Sequence, residues 1–191
     1  MPVYAHFLRL KLQIVTYIKK RCGLKLIIIL FLYISGLMAV DNYSLAFLSA
    51  INREGTPLLR SGNTLFECHS YGILSLNELM KREEISTSCR EELLKYEKQN
   101  PLDLNYVFRH LRIEQKYHYE FIQNECILYS SGQVSFAEKL LQKGFAVMLP
   151  LFKDDIWFYR HSTAQKFAKI EKRGIWKNNL VSLCIAELYK E

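Results

Sequence analysis

No acidic residue occurs in the first 40 positions of this 191-residue chain, so nearly all of its net charge of +7 lies there. Six Lys and Arg residues fall in that stretch, whereas the rest of the chain is close to neutral. A basic segment directly before an apolar run is typical of membrane orientation rather than of nucleic-acid binding. The absence therefore argues against a body whose excess positive charge binds DNA.

Long hydrophobic runs are also scarce. The one candidate, 26–40, has 15 residues between Lys25 and Asp41, fewer than the roughly 20 that a spanning helix needs. Because Lys25 can snorkel, we expect an uncleaved anchor at 24–41, with a basic cytoplasmic segment at 1–23. The predicted location is the cytoplasmic (inner) membrane, crossed once, with the body on the periplasmic side. A cleaved signal peptide and a buried core helix are the alternatives.

No C-x-x-C pair occurs among the five cysteines, and this absence argues against a zinc site. His69 beside Cys68 is the only close Cys/His pair. Four of the cysteines would lie outside the cytoplasm, where they form one or two disulfides in any of three pairings, or stay reduced and buried. These four are Cys68, Cys89, Cys126 and Cys184.

Strand and helix signals are mixed along the body, which indicates an α+β fold. Alternating residues predict strands within 64–76, 104–113 and 117–129, and we expect the aromatic face of the last to be core rather than a base-stacking surface. Helices are expected within 77–97, where Ser86 or Thr87 would be the N-cap, after Gly132 as far as Gly144, and after a cap at Asp154 or Asp155. The last of these is expected to direct four residues toward the core: Phe158, Ala164, Phe167 and Ala168.

Two blocks carry a resemblance to a known family: GQVSFAEKLLQKGFAV at 132–147 and AQKFAKIEKRGIW at 164–176. Their order and spacing resemble the end of a staphylococcal-nuclease (thermonuclease) domain. The resemblance implies a five-stranded OB-type β-barrel with packed helices over 61–177. A connector and first strand at 42–60 would precede it, and a helical extension at 178–191 would follow. For activity it implies calcium-dependent phosphodiester hydrolysis.

The charged residues that calcium-dependent phosphodiester hydrolysis requires in this family are absent from the matching stretches. No Asp occurs between Asp41 and Asp103, and no Arg or Lys between Lys116 and Lys139. The family's metal ligands, arginines and glutamate correspond, by the resemblance, to Asn63, Leu74, His69, Gln123 and Asn77. Glu78 could replace the glutamate only with a shift of register, and Glu67, His69 and Glu78 could form a new site. We therefore expect no metal, no cofactor and no catalysis.

The expected function is a membrane-anchored, non-catalytic scaffold that binds other envelope proteins. The alternative is a nucleic-acid-handling protein in DNA uptake or secretion, either a binder or a weak nuclease. The charge distribution of the chain leaves the nucleic-acid alternative open, because 41–138 has a net charge of −4 and 139–191 has a net charge of +5. A basic face on the last long helix, with weak affinity for nucleic acid, would consist of Lys166, Lys169, Lys172 and Arg173.

Overall fold

Side chains along β1 (Ser44–Ile51) alternate between the two faces of a sheet, burying Ala46 and Leu48 and exposing Leu45 and Phe47. This period of two is expected of a strand with one face on the core. The computed structural model describes residues 44–189. Within them, β1 pairs antiparallel with a neighbour on each side.

Six antiparallel strands form the main sheet, in the order β3-β2-β1-β5-β6-β7. The five besides β1 are β2 (Pro57–Ser61), β3 (Thr64–Glu67), β5 (Lys116–Ile122), β6 (Glu125–Ser131) and β7 (Val134–Ser135). A separate two-stranded ribbon pairs β4 (Ile73–Ser75) with β8 (Ala146–Met148).

The sheet is open, so the prediction of a closed five-stranded barrel is wrong. Its edge strands, β3 and β7, have four and two residues and no ladder joins them. Strands this short cannot supply the staggered register that closure needs. The sheet curls instead, so that the segment after β3 reaches β6 through an isolated bridge between Ser70 and Cys126 and the disulfide Cys68–Cys126.

No helix within 44–189 is long and apolar enough to cross a membrane. This finding contradicts the prediction of a single-pass inner-membrane protein with a periplasmic body. The predicted anchor at 24–41 and the basic segment at 1–23 lie outside the described residues.

Helices fill the intervals between the strands. Their bounds are α1 (Leu76–Met80), α2 (Thr87–Gln99), α3 (Pro101–Leu104), α4 (Tyr106–His110), α5 (Phe136–Lys143), α6 (Asp155–Ile170) and α7 (Asn179–Glu187), with a 3-10 turn at Gly174–Lys177. Ser86 and Asp154 cap α2 and α6 with their side chains, as predicted. Gly144, also as predicted, ends α5 in the left-handed conformation.

The strand predicted over 104–113 is wrong, because this stretch is helical through α3 and α4. Pro101 at the first turn favours a helix, since it has no N–H to leave unpaired. The strand predicted over 117–129 is two strands, β5 and β6, joined at Gln123 and Asn124. Both turn residues have positive φ, 50° and 69°, as a tight hairpin requires.

Three apolar clusters hold the layers together. The largest lies between the inner sheet face and α5, and it includes the two buried tyrosines of β5, Tyr117 and Tyr119. A second joins α1, α2, α7 and the 3-10 turn, where the disulfide Cys89–Cys184 links α2 to α7. A third lies on the face of β6 opposite the largest cluster, where Ile127 and Tyr129 pack on Trp157 of α6.

The sequence blocks 132–147 and 164–176 meet at a pair of glycines. Gly144 has φ +72° and Gly174 has φ +52°, and the amide of Ile175 donates to the Gly144 carbonyl at 3.0 Å. A Cβ on Gly144 would lie 2.2 Å from the Arg173 carbonyl oxygen, and one on Gly174 would lie 2.2 Å from the Gly144 oxygen. Glycine is therefore needed at both positions, and the contact fixes α5 against the end of α6.

Candidate functional site

A small cleft lies where the β1–β2 turn, the segment after β3 and α1 meet. Its cavity volume is ≈ 60 Å³, and polar side chains from all three elements line it. A water needs about 10–15 Å³ of such volume, so the cleft holds a handful of waters rather than a nucleotide.

The rim of the cleft is built by the first turn of α1. Ser75 caps this helix by accepting from the Glu78 amide at 3.3 Å, and the Glu78 carboxylate accepts from the Ser75 amide at 2.7 Å. This capping box explains why a five-residue helix forms here. It also commits one oxygen of Glu78 to the backbone, which lowers its value as a free base.

His69 is held between two carboxylates at the same rim. Its Nε2 lies 3.1 Å from Glu67 Oε2 and its Nδ1 lies 3.9 Å from Glu78 Oε1. The structure thus brings together the three residues that the sequence offered as a new site. Among the residues described, no group of three or more His, Cys, Asp and Glu side chains has the geometry to hold a metal ion.

The five positions that the predicted resemblance assigned to a nuclease active site do not lie together. Asn77 faces the cleft, where its Nδ2 donates to the Glu54 carbonyl at 3.0 Å. Asn63 lies in the β2–β3 turn, at the opposite end of β2 from the turn that carries Glu54. Leu74 is buried in the second apolar cluster, and Gln123 lies in the β5–β6 turn. Of the five positions, only His69 and Asn77 line the cleft.

Of the residues that set the charge of the cleft, the sequence did not single out Glu54, Lys81 and Asp103. Glu54 enters from the β1–β2 turn and pairs with Lys81. Four acidic side chains line the cleft or its rim against this one lysine, namely Glu54, Glu67, Glu78 and Asp103. Such a surface repels a phosphodiester. The only sequence signal was the net charge of −4 over 41–138.

The predicted basic face of α6 is partly occupied by the domain itself. Lys169 Nζ lies 4.7 Å from the Trp176 ring centroid, and burial lowers the pKa of this lysine. The Arg173 guanidinium lies 4.3 Å from the Phe167 ring centroid. Lys166 is exposed and Lys172 follows the helix with φ +47°. Two of the four cations are therefore stacked on aromatic rings of the same domain.

The solvent side of α6 is apolar instead. Its buried arc consists of Trp157, His161, Ala164, Gln165 and Ala168. Ile156 is 70% exposed, Tyr159 73% and Ile170 66%, and Phe167 is partly exposed beside them. At about 100° per residue these four side chains, with Thr163, form one stripe opposite the buried arc. The prediction that Phe158 and Phe167 point to the core is wrong, since both are exposed.

A second exposed surface crosses the outer face of the sheet. The strand registers place Leu65, Arg60, Phe47 and Lys116 side by side on β3, β2, β1 and β5. Leu65 and Phe47 are exposed, and the Lys116 ammonium lies 5.0 Å from the Phe47 ring centroid. Apolar and basic side chains thus alternate across four strands.

Comparison with models of known protein families and with curated proteins finds no match to this chain.

Proposed function

We propose that the domain 44–189 is a non-catalytic protein-binding module, in which only the blocks 132–147 and 164–176 resemble the staphylococcal nucleases. The apolar stripe of α6 carries this proposal. A helix that is apolar on both sides is normally buried on both sides. Because the core covers only one side of α6, the other side is suited to a protein partner.

The cleft supports the absence of nuclease chemistry. Phosphodiester hydrolysis needs cations around the phosphate and, in this family, carboxylates around a metal ion. Here the carboxylates surround a histidine and a paired lysine, and the position of the second family aspartate is taken by the buried Leu74. The cleft therefore offers a phosphate neither charge nor space.

Photo-crosslinking tests the binding proposal. A photoreactive amino acid at Tyr159 of the full chain should give a discrete protein adduct in the cells that make the protein. The same probe at Thr64, which is exposed on β3 away from the stripe, is the control and should give none. An absence of adducts from Tyr159, or equal adducts from both positions, would contradict the proposal.

Calcium should have no effect on this protein. We expect no calcium-dependent cleavage of DNA or RNA and no rise in melting temperature, because Asn63 and Leu74 offer no anionic ligand. Binding to the folded state alone would add about 2.7 kcal/mol at a hundred times the dissociation constant, which a melting curve detects. Calcium-stimulated cleavage that Glu78→Gln abolishes would show a relocated active site and refute the proposal.

Nucleic-acid binding is the second candidate, favoured by the row of Leu65, Arg60, Phe47 and Lys116. Two cations beside an aromatic ring on a sheet are suited to single strands, which offer phosphates and bases. With the body near neutral, we expect affinity for a single-stranded oligonucleotide no tighter than roughly micromolar at physiological salt. Fluorescence anisotropy measures this affinity. Arg60→Glu tests the row, and Lys143→Glu, which makes the same charge change outside the row, is its control. Tight binding with a steep salt dependence, lost in Arg60→Glu alone, would favour this candidate.

A further inference from the structure

The exposed stripe of α6 has the same order of residue types in both directions. Its members are Ile156, Tyr159, Thr163, Phe167 and Ile170, with spacings of three, four, four and three residues. In order they are isoleucine, aromatic, threonine, aromatic and isoleucine. A surface with this symmetry fits a copy of itself turned end to end.

We propose that the stripe is the interface of a homodimer, in which two copies of α6 pack antiparallel about a two-fold axis at Thr163. Two-fold interfaces are isologous, so each residue must suit its counterpart on the reversed copy. Here Ile156 meets the partner's Ile170, and Tyr159 meets the partner's Phe167. Thr163 meets itself at the axis, where its small side chain lets the helices approach to about 8–10 Å.

Charge supports the antiparallel direction. At about 100° per residue, Asp155 at the start of α6 lies on the same flank as Lys166 and Lys169 nearer its end. Reversal about the two-fold axis keeps this flank on the same side of both copies and places Asp155 of one copy beside the lysine flank of the other. In a parallel two-fold pair the flank would lie on opposite sides of the two copies and make no such contact. The antiparallel pair is therefore the electrostatically complementary one.

The exposed area limits the affinity. The exposed parts of the two isoleucines and two aromatic residues amount to roughly 500 Å² per copy, against about 800 Å² per partner in a standard stable complex. We expect a reversible dimer with a micromolar dissociation constant. This inference rests on the proposed function, because it names the partner of the same stripe.

Cysteine crosslinking of the full chain tests the geometry. In a Cys22→Ser background, Thr163→Cys should give a covalent dimer with a short bismaleimide, because the two cysteines face each other across the axis. Asp155→Cys is the matched control, since its two copies lie about 24 Å apart in an antiparallel pair. Crosslinking at both positions would show a parallel pair, and crosslinking at neither would overturn the proposal.

Sedimentation of the full chain tests the interface. Tyr159→Glu should raise the dimer dissociation constant at least tenfold, while Leu102→Glu, at an exposed leucine on α3, should not change it. Asp155→Lys should also weaken the dimer, and Asp155→Lys with Lys166→Glu should restore it, because the swapped charges remain complementary. Melting temperatures close to the wild-type value would show that these exposed substitutions leave the fold intact.

The two proposals fail separately. A wild-type chain that stays monomeric at several hundred micromolar, or a dimer that Tyr159→Glu leaves unchanged, overturns the homodimer. If the probe at Tyr159 then gives an adduct with a different protein, the binding function stands. If that probe gives no adduct and the chain is monomeric, both proposals fail.

Discussion

His161 is fully buried, and neither ring nitrogen has a hydrogen-bond partner among the described residues. Its ring lies between Phe152 and Trp157, with centroids 5.7 and 5.6 Å away. Burial in this apolar site lowers the pKa of His161 to about 4. The unpaired nitrogens cost stability that an apolar side chain would not. We therefore expect this residue to make the packing around Phe152 and Trp157 sensitive to acid.

Replacing His161 by Leu should remove part of the acid sensitivity of folding. The pKa of His161 is about 4 in the folded state and about 6.5 in the unfolded state. Between these two pH values the unfolded chain binds a proton on this histidine and the folded chain does not. Wild-type stability therefore falls between pH 6.5 and 4, by about 3 kcal/mol from this group. Urea unfolding at pH 7.5 and 4.5 should show a smaller difference in His161→Leu, with little loss at pH 7.5. Equal differences would contradict a buried neutral histidine.

At the scale of elements, the contact between Gly144 and Gly174 joins the end of α5 to the turn after α6. Both backbones are left-handed, and each would place a Cβ inside the other chain segment. Strand β8 begins two residues after Gly144 and pairs with β4, whose Leu74 belongs to the second apolar cluster. The glycines therefore position the second apolar cluster as well as the helices.

Gly144→Ala and Gly174→Ala should each destabilise the domain far more than Gly132→Ala. All three glycines have positive φ, which costs alanine about 1–2 kcal/mol. A Cβ on Gly132 would extend into open space, whereas a Cβ on either of the other two would meet backbone atoms, which adds a steric cost of about 1–3 kcal/mol. Urea unfolding measures the difference. Equal losses at Gly132 and Gly144 would show that conformation alone matters.

At the scale of the molecule, two disulfides connect distant parts of the chain. Cys68–Cys126 spans 58 residues and holds the curl of the sheet, while Cys89–Cys184 spans 95 and ties α7 to α2. Long closed loops restrict the unfolded chain strongly. The covalent links therefore stabilise the contacts that are most remote in sequence.

Replacing either cysteine pair by alanine should cost about 2–5 kcal/mol, because each loop removes a similar amount of unfolded-chain entropy. Cys68→Ala/Cys126→Ala and Cys89→Ala/Cys184→Ala should thus lose comparable stability in urea unfolding. Reducing agent should lower the wild-type midpoint and leave a chain without all four cysteines unchanged. A wild-type midpoint indifferent to reduction would contradict both disulfides.

Local signals were predictable from the sequence, and long-range ones were not. The caps at Ser86 and Asp154 and the end of α5 at Gly144 depend on neighbours within a few residues, so their residue types suffice. Glu67 and His69 were grouped for the same reason, whereas Glu78 was considered only because it follows the position that the resemblance assigned to the family glutamate. Glu54 reaches them only through the packing of the β1–β2 turn. Phe158 and Phe167 were assigned to the core because hydrophobicity does not show which side of a helix the rest of the protein covers.

The two disulfides are interleaved along the chain, since Cys89 lies inside the first loop and Cys126 inside the second. A protease that cuts once anywhere between Cys68 and Cys184 therefore releases no fragment until the protein is reduced. The same order has a cost during synthesis, because Cys68 and Cys89 both leave the ribosome before either native partner exists. A Cys68–Cys89 bond formed at that stage would have to be exchanged for Cys68–Cys126 by thiolate attack, which frees Cys89 to pair with Cys184 once the last helix is made.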